Sequence, residues 1–128
     1  MWIEYNPNPK KKRVGDCAVR AIAKALDTDW ETAYAKMSLL GYTMADLLNA
    51  VHVYGSILRQ NGFKREAIPN TCPDCYTIKD FCADHPKGKF VLVTGNHVVT
   101  AINGDYYDTW DSGDEVPIIY FQEVKNGI

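Results

Sequence analysis

Between residues 17 and 26 the apolar side chains Ala18, Ala21, Ile22, Ala25 and Leu26 recur at the i, i+3, i+4, i+7, i+8 spacing of one buried helix face. So much alanine on that face implies close approach to a neighbouring element. Gly15-Asp16 opens the run at Cys17. A second stripe, Trp30, Ala33, Tyr34 and Met37, follows a capping box of Thr28 and Glu31, and Gly41 closes it. Thr43 and Asp46 have the form of a further N-cap leading into residues 44–60, which Gly55 divides and Asn61-Gly62 ends. Residues 63–68 read as a short strand or extended link, and residues 69–76 as turn-rich loop. Thr77 and Asp80 cap a short helix that stops near His85-Pro86.

After Lys87-Gly88 the period changes from that of helices to that of strands. Residues 89–94, 96–102, 105–110 and 116–122 carry the strand signal, and Asn103-Gly104 between the middle two marks a two-residue type I′ hairpin. Residues 1–8, with Pro7 and Pro9 nearby, read as an extended or turning arm. Helices first and an antiparallel sheet after is an α+β pattern, and 128 residues without repeats fit a single domain.

The longest apolar runs are four residues, Phe90 to Val93 and Ile118 to Phe121, too short for a membrane span of about 20. The polar start has no apolar core behind it, so the expected location is the cytoplasm, of a bacterium or a phage-infected host. An aromatic content of 12% argues against disorder. A net charge of −2 argues against nucleic acid as a partner. The charge is uneven: basic residues dominate the first 24 positions and acidic residues the last 28, so the two ends attract each other in the fold.

Two residues carry chemistry. Cys17 stands at a helix N-terminus, where backbone N–H groups favour a thiolate, and Gly15 leaves room beside the sulfur. A thiolate nucleophile needs a base, and His97 near the start of the 96–102 strand can supply it. The hairpin fixes what faces His97. If Ile102 opposes Asp105, Val99 opposes Asp108, and Asp108 shares the face of His97 on the diagonal, within side-chain reach. A three-residue turn would put Asp111 there instead. The carboxylate would fix the imidazole tautomer and stabilise the imidazolium.

Gly15-Asp16-Cys17, Asn96-His97-Val98-Val99 and Asp108-Thr109-Trp110 together resemble a minimal papain-like cysteine peptidase over residues 6–122. The chain is most similar to small papain-like proteins of bacterial and phage genomes, and more distantly to bacteriocin-processing cysteine peptidases. The resemblance implies Cys17 as nucleophile, His97 as general base and Asp108 as orienting residue. It also implies a protein or peptide substrate, and no cofactor or membrane. Relatives carry a Gln about six residues before the Cys as oxyanion donor. Lys11 stands there in this chain, and Asn6 or Asn8 are the candidates, with the Cys17 N–H.

Competing signals have their own readings. Cys72, Cys75, Cys82 and His85 read C-x2-C-x6-C-x2-H, enough for a tetrahedral zinc, against the simpler expectation of reduced thiols in a loop. The basic run from Lys10 to Arg13 reads as a solvated arm flanking the cleft, and His52 as a structural or surface residue. Tyr106, Tyr107, Trp110, Tyr120 and Phe121 read as core more than as a stacking platform. The expected function is hydrolysis of a peptide or isopeptide bond through a Cys-His-Asp arrangement. The alternative is a catalytically silent papain-like binding module, for example a phage protein blocking a host factor, with Asn6 and Asn8 turned away from the cleft. Oligomeric state is not legible.

Overall fold

The computed structural model describes residues 1–124. In chain order these form β1 (Trp2–Glu4), α1 (Cys17–Ala25), α2 (Trp30–Met44), α3 (Val51–Gln60), β2 (Phe63–Ala67), α4 (Ile78–Asp84), β3 (Lys89–Val93), β4 (Val98–Ile102), β5 (Asp105–Asp108) and β6 (Ile119–Glu123). The fold is α+β. The six strands make one sheet in the order β1-β5-β4-β3-β6-β2.

The sheet is mixed, where an antiparallel one was expected. Trp2–Glu4, expected as an arm, pairs parallel with β5 in the register Trp2↔Tyr106 to Glu4↔Asp108. Three residues are too few for a periodic signal, and a parallel partner 100 residues away leaves no turn motif to find. The remaining pairings are antiparallel.

Central strand β3 is apolar from Phe90 to Val93 because both its faces are covered there. Val91 and Val93 face the core formed with α1, α2 and α3, while Phe90 and Leu92 face Ile78, Phe81 and Cys82 of α4. The alanine-rich face of α1 lies against β4, where Thr100 Oγ1 donates to Ala21 O at 2.7 Å. Small side chains permit that approach.

Three helix boundaries differ from the sequence reading, each for a local reason. The cap of α2 is Asp29, whose side chain accepts from Thr32 N, because the Thr28 N–H already closes α1 by bonding Ala23 O at 2.9 Å. Gly41 lies inside α2 and does not end it. The 46–48 segment folds back over it, and a Cβ there would come within 2.9 Å of Asp46 O. That fold-back also displaces the expected N-cap at Thr43 and Asp46, and α3 starts only at Val51.

Gly55 does not divide α3; it makes room for Phe121, whose ring would stand 3.1 Å from an added Cβ. Gly55→Val should therefore lower stability by about 1–3 kcal/mol through overpacking. Gly55→Ala should stay within about 1 kcal/mol, because its helix propensity offsets a milder clash. Urea unfolding of both variants checks this, and equal midpoints would contradict the packing role.

Asn103-Gly104 forms the expected two-residue turn, with φ of 50° and 84°. Ile102 opposes Asp105 and Thr100 opposes Tyr107, the register on which the placement of Asp108 rests. The capping box of Thr77 and Asp80 is present at α4. No helix among the described residues is long and apolar enough to cross a membrane.

Candidate active site

Cys17 is the first residue of α1, and its N-cap position is held by Asp16. An Asp there ordinarily folds its carboxylate back onto the helix N–H groups. Here it makes no such bond. It turns instead to Arg20 Nη1 and to Trp30 Nε1, the latter at 2.9 Å. The first N–H to enter the helix ladder is that of Arg20, bonded to Asp16 O at 2.9 Å. The helix N-terminus at Cys17 is thus left without a side-chain cap, and its dipole favours negative charge at the sulfur.

His97 stands immediately before β4, at the end of the four-residue connection from β3 that the Thr94 N–H closes on His97 O at 2.8 Å. The ring is 9% exposed, with Trp110 packed against it at 5.2 Å between centroids. Its Nε2 meets Asp108 Oδ2 at 2.6 Å, which leaves Nδ1 for the sulfur side.

Asp108 ends β5 and is 1% exposed. Four donors converge on it: His97 Nε2 and Ser112 Oγ on Oδ2, both at 2.6 Å, and Thr109 N at 2.8 Å and Arg20 Nη2 at 3.1 Å on Oδ1. A chain of buried polar contacts thus runs from Trp30 through Asp16, Arg20 and Asp108 to His97, which faces Cys17.

The pKa directions follow from these contacts. Burial pushes the Cys17 thiol up, but hydrogen bonds from the His97 imidazole and the Val98 N–H, with the positive charge of His97 and Arg20, outweigh it. The thiol sits below its ordinary value. Burial acts downward on His97, and its hydrogen bonds to Asp108 and Cys17 overcome that, raising it to about 9. Burial raises Asp108, but the bonds from His97 and Ser112 hold it below the usual carboxylate range. Cys82 is the contrast: buried without such partners, its thiol is pushed up to about 11.

Cys17, His97 and Asp108 are therefore brought together. Asp111 is not part of the group: its carboxylate accepts from the Tyr106 hydroxyl and Gly113 N, as a two-residue hairpin turn requires. Asn6 and Asn8 do not line the cleft beside the sulfur. Asn6 Oδ1 accepts from Asn8 N at 3.2 Å, and Asn8 Oδ1 from Lys10 N and Lys12 N at 2.9 and 3.3 Å, so both amides brace their own loop. Asn8 lies in the neighbouring groove with Asp16 and Trp30.

The four-ligand zinc set is not assembled. Cys72 and Cys75 form a disulfide, contrary also to the expectation of reduced thiols, and Cys82 is on the buried face of α4. His85 stacks on Phe81, with Nδ1 2.8 Å from Phe81 O. Two cysteines separated by two residues suit a disulfide as well as a metal, and spacing alone does not distinguish them. Lys10 to Arg13 are exposed, and Arg13 is tied to Thr109 O at 3.1 Å and Glu4 at 3.7 Å.

Sequence reasoning missed Arg20, Ser112 and the Val98 N–H. Only Arg20 left a signal: it follows Asp16 by four residues, the spacing of an ion pair along one helix face. Comparison with protein-family models, curated proteins and solved structures returns no match, so the functional argument rests on geometry.

Proposed function

We propose that the chain is a thiol hydrolase of the papain-like class, acting on a peptide or isopeptide bond with Cys17, His97 and Asp108. The observation that carries this reading is the position of His97, bound to a saturated buried carboxylate through Nε2 and facing Cys17 with its other edge. The opposed shifts of the two groups favour the thiolate–imidazolium form over thiol and neutral imidazole.

In the first half-reaction the Cys17 Sγ lone pair forms a C–S bond with the carbonyl carbon, and the π pair moves onto oxygen. As the carbonyl re-forms, the C–N bond breaks and the leaving nitrogen takes the proton from His97. A thioester and a neutral imidazole remain. Water then attacks the thioester, His97 receives one of its protons, and the C–S bond breaks to return the thiolate and release the acid. Asp108 keeps the ring in place throughout.

Oxyanion stabilisation falls to the backbone N–H at the start of α1. Each such donor is worth about 10²–10³ in rate. That Asn6 and Asn8 are committed to their own loop is the one observation favouring the second reading, a papain-like module that binds without cutting.

A library of peptides and isopeptides separates the two readings. Hydrolysis should release an amine, trap a Cys17 thioester detectable by intact mass, and vanish in Cys17→Ala. Its rate should fall above about pH 9, where the imidazolium that protonates the leaving group is lost. Absence of both turnover and thioester would overturn the hydrolase and leave the binding module.

A further inference from the structure

The cleft beside Cys17 has a volume of about 460 Å³ and continues past the sulfur between α3 and the β6–β2 side of the sheet. Val51, Val93, Ile118 and Ile119 give it apolar wall, and polar side chains interrupt that wall: Asn49, Thr94 and Asn96, and the two longest, Tyr54 and Arg65. Tyr54 is 2% exposed, with its ring in the core under α3. Its hydroxyl has no hydrogen-bond partner among the described residues. No fully enclosed side-chain oxygen or nitrogen is left unsatisfied, so this oxygen opens into the cleft.

Arg65 lies on β2 with the same parity as buried Phe63, hence on the face that α1, α2 and α3 cover. It has no carboxylate partner among the described residues. Its neighbours Lys64 and Glu66 pair with each other at 3.3 Å on the strand's other face. Burial is the main reason that the Tyr54 phenol is pushed up to about 12. The charges of Cys17 and Arg65 also act on it, in opposite senses, and all three side chains line the same cleft.

We propose that this end of the cleft is a carboxylate subsite, in which the Arg65 guanidinium and the Tyr54 hydroxyl hold an acidic side chain adjoining the scissile carbonyl. The substrate class is then an acidic peptide, with glutamate suited better than aspartate because the apolar walls take up its methylene groups. An arginine with no internal partner presents its planar fork to a carboxylate, and the phenol adds a neutral donor that keeps the pair's charges balanced. The inference rests on Cys17 being the nucleophile.

Three halomethyl ketones that differ only in side chain, built on N-acylated glutamate, glutamine and leucine, test both. Each alkylates a reactive thiolate: Sγ displaces the halide, a C–S bond forms and halide ion leaves. At pH 7 the glutamate reagent should label Cys17 about tenfold faster than the glutamine reagent, the factor expected of one charge-assisted pair. That ratio should drop to about one in Arg65→Gln, fall several-fold in Tyr54→Phe, and persist in Lys64→Gln. Arg65 is exposed and Phe keeps the buried ring, so the variants fold. A ratio near one in the native chain, a preference for the leucine reagent, or a ratio that survives Arg65→Gln overturns the carboxylate subsite and leaves the nucleophile standing. Failure of all three reagents to label Cys17 overturns both.

Discussion

Iodoacetamide is expected to alkylate Cys17 readily at pH 6 in the native chain and to lose most of that reactivity in His97→Ala. The reagent reads the thiolate, and an ordinary thiol with a pKa of about 8.5 is only about 0.3% ionised at pH 6. If His97 is what holds Cys17 below its usual value, removing the ring removes the strongest hydrogen bond to the sulfur and the nearest positive charge. Burial, which works the other way, is left behind. The loss can therefore approach 300-fold at pH 6 and should shrink as pH rises. Peptide mapping assigns the label: Cys72 and Cys75 are oxidised, and Cys82 reacts only at strongly alkaline pH. A flat comparison, with the same rate profile in both proteins, would sink the thiolate–imidazolium pair.

The second large effect concerns stability. Arg20→Met should destabilise the fold by about 3–5 kcal/mol, the usual consequence of leaving buried charge uncompensated. Arg20 bridges Asp16 and Asp108, and the three side chains are 7%, 6% and 1% exposed. Methionine fills much of the volume, so the loss is electrostatic more than steric. That distinction is testable. Adding Asp16→Asn to Arg20→Met removes one of the stranded charges and should recover part of the loss in urea unfolding. If the double variant is less stable by the sum of both changes, the bridge is not the source. The same substitution loosens Asp108, so Cys17 alkylation should slow even under conditions where the chain remains folded.

How far these features could be read from the sequence depends on how local their causes are. The α1 face follows a 3.6-residue period, and the β4–β5 register follows from a two-residue turn whose chemistry is written in Asn103-Gly104. Counting from that turn is what put Asp108, and not Asp111, beside His97. The contacts that complete the arrangement are not local. Ser112 reaches Asp108 from beyond the strand, the Val98 N–H depends on how β4 meets α1, and β1 finds β5 across the length of the chain. Gly41 misled for the same reason. Its purpose is a close approach by residues 46–48, and in sequence a glycine forced by a neighbour looks like one that ends a helix.

The opposed shifts at Cys17 and His97 have a consequence for the fold as a whole. Between about pH 6.5 and 9, folded His97 keeps a proton that the unfolded chain gives up, which lowers stability as pH rises. Folded Cys17, over the range from its lowered value up to its ordinary one, lacks a proton that the unfolded chain retains, which raises stability as pH rises. Where the two ranges overlap the slopes have opposite signs, and moving the proton from sulfur to imidazole changes neither the net charge nor the proton count. Across that overlap the folded pair takes up and releases no net proton, so its reactive form and the folding free energy it carries both stay level as acidity changes.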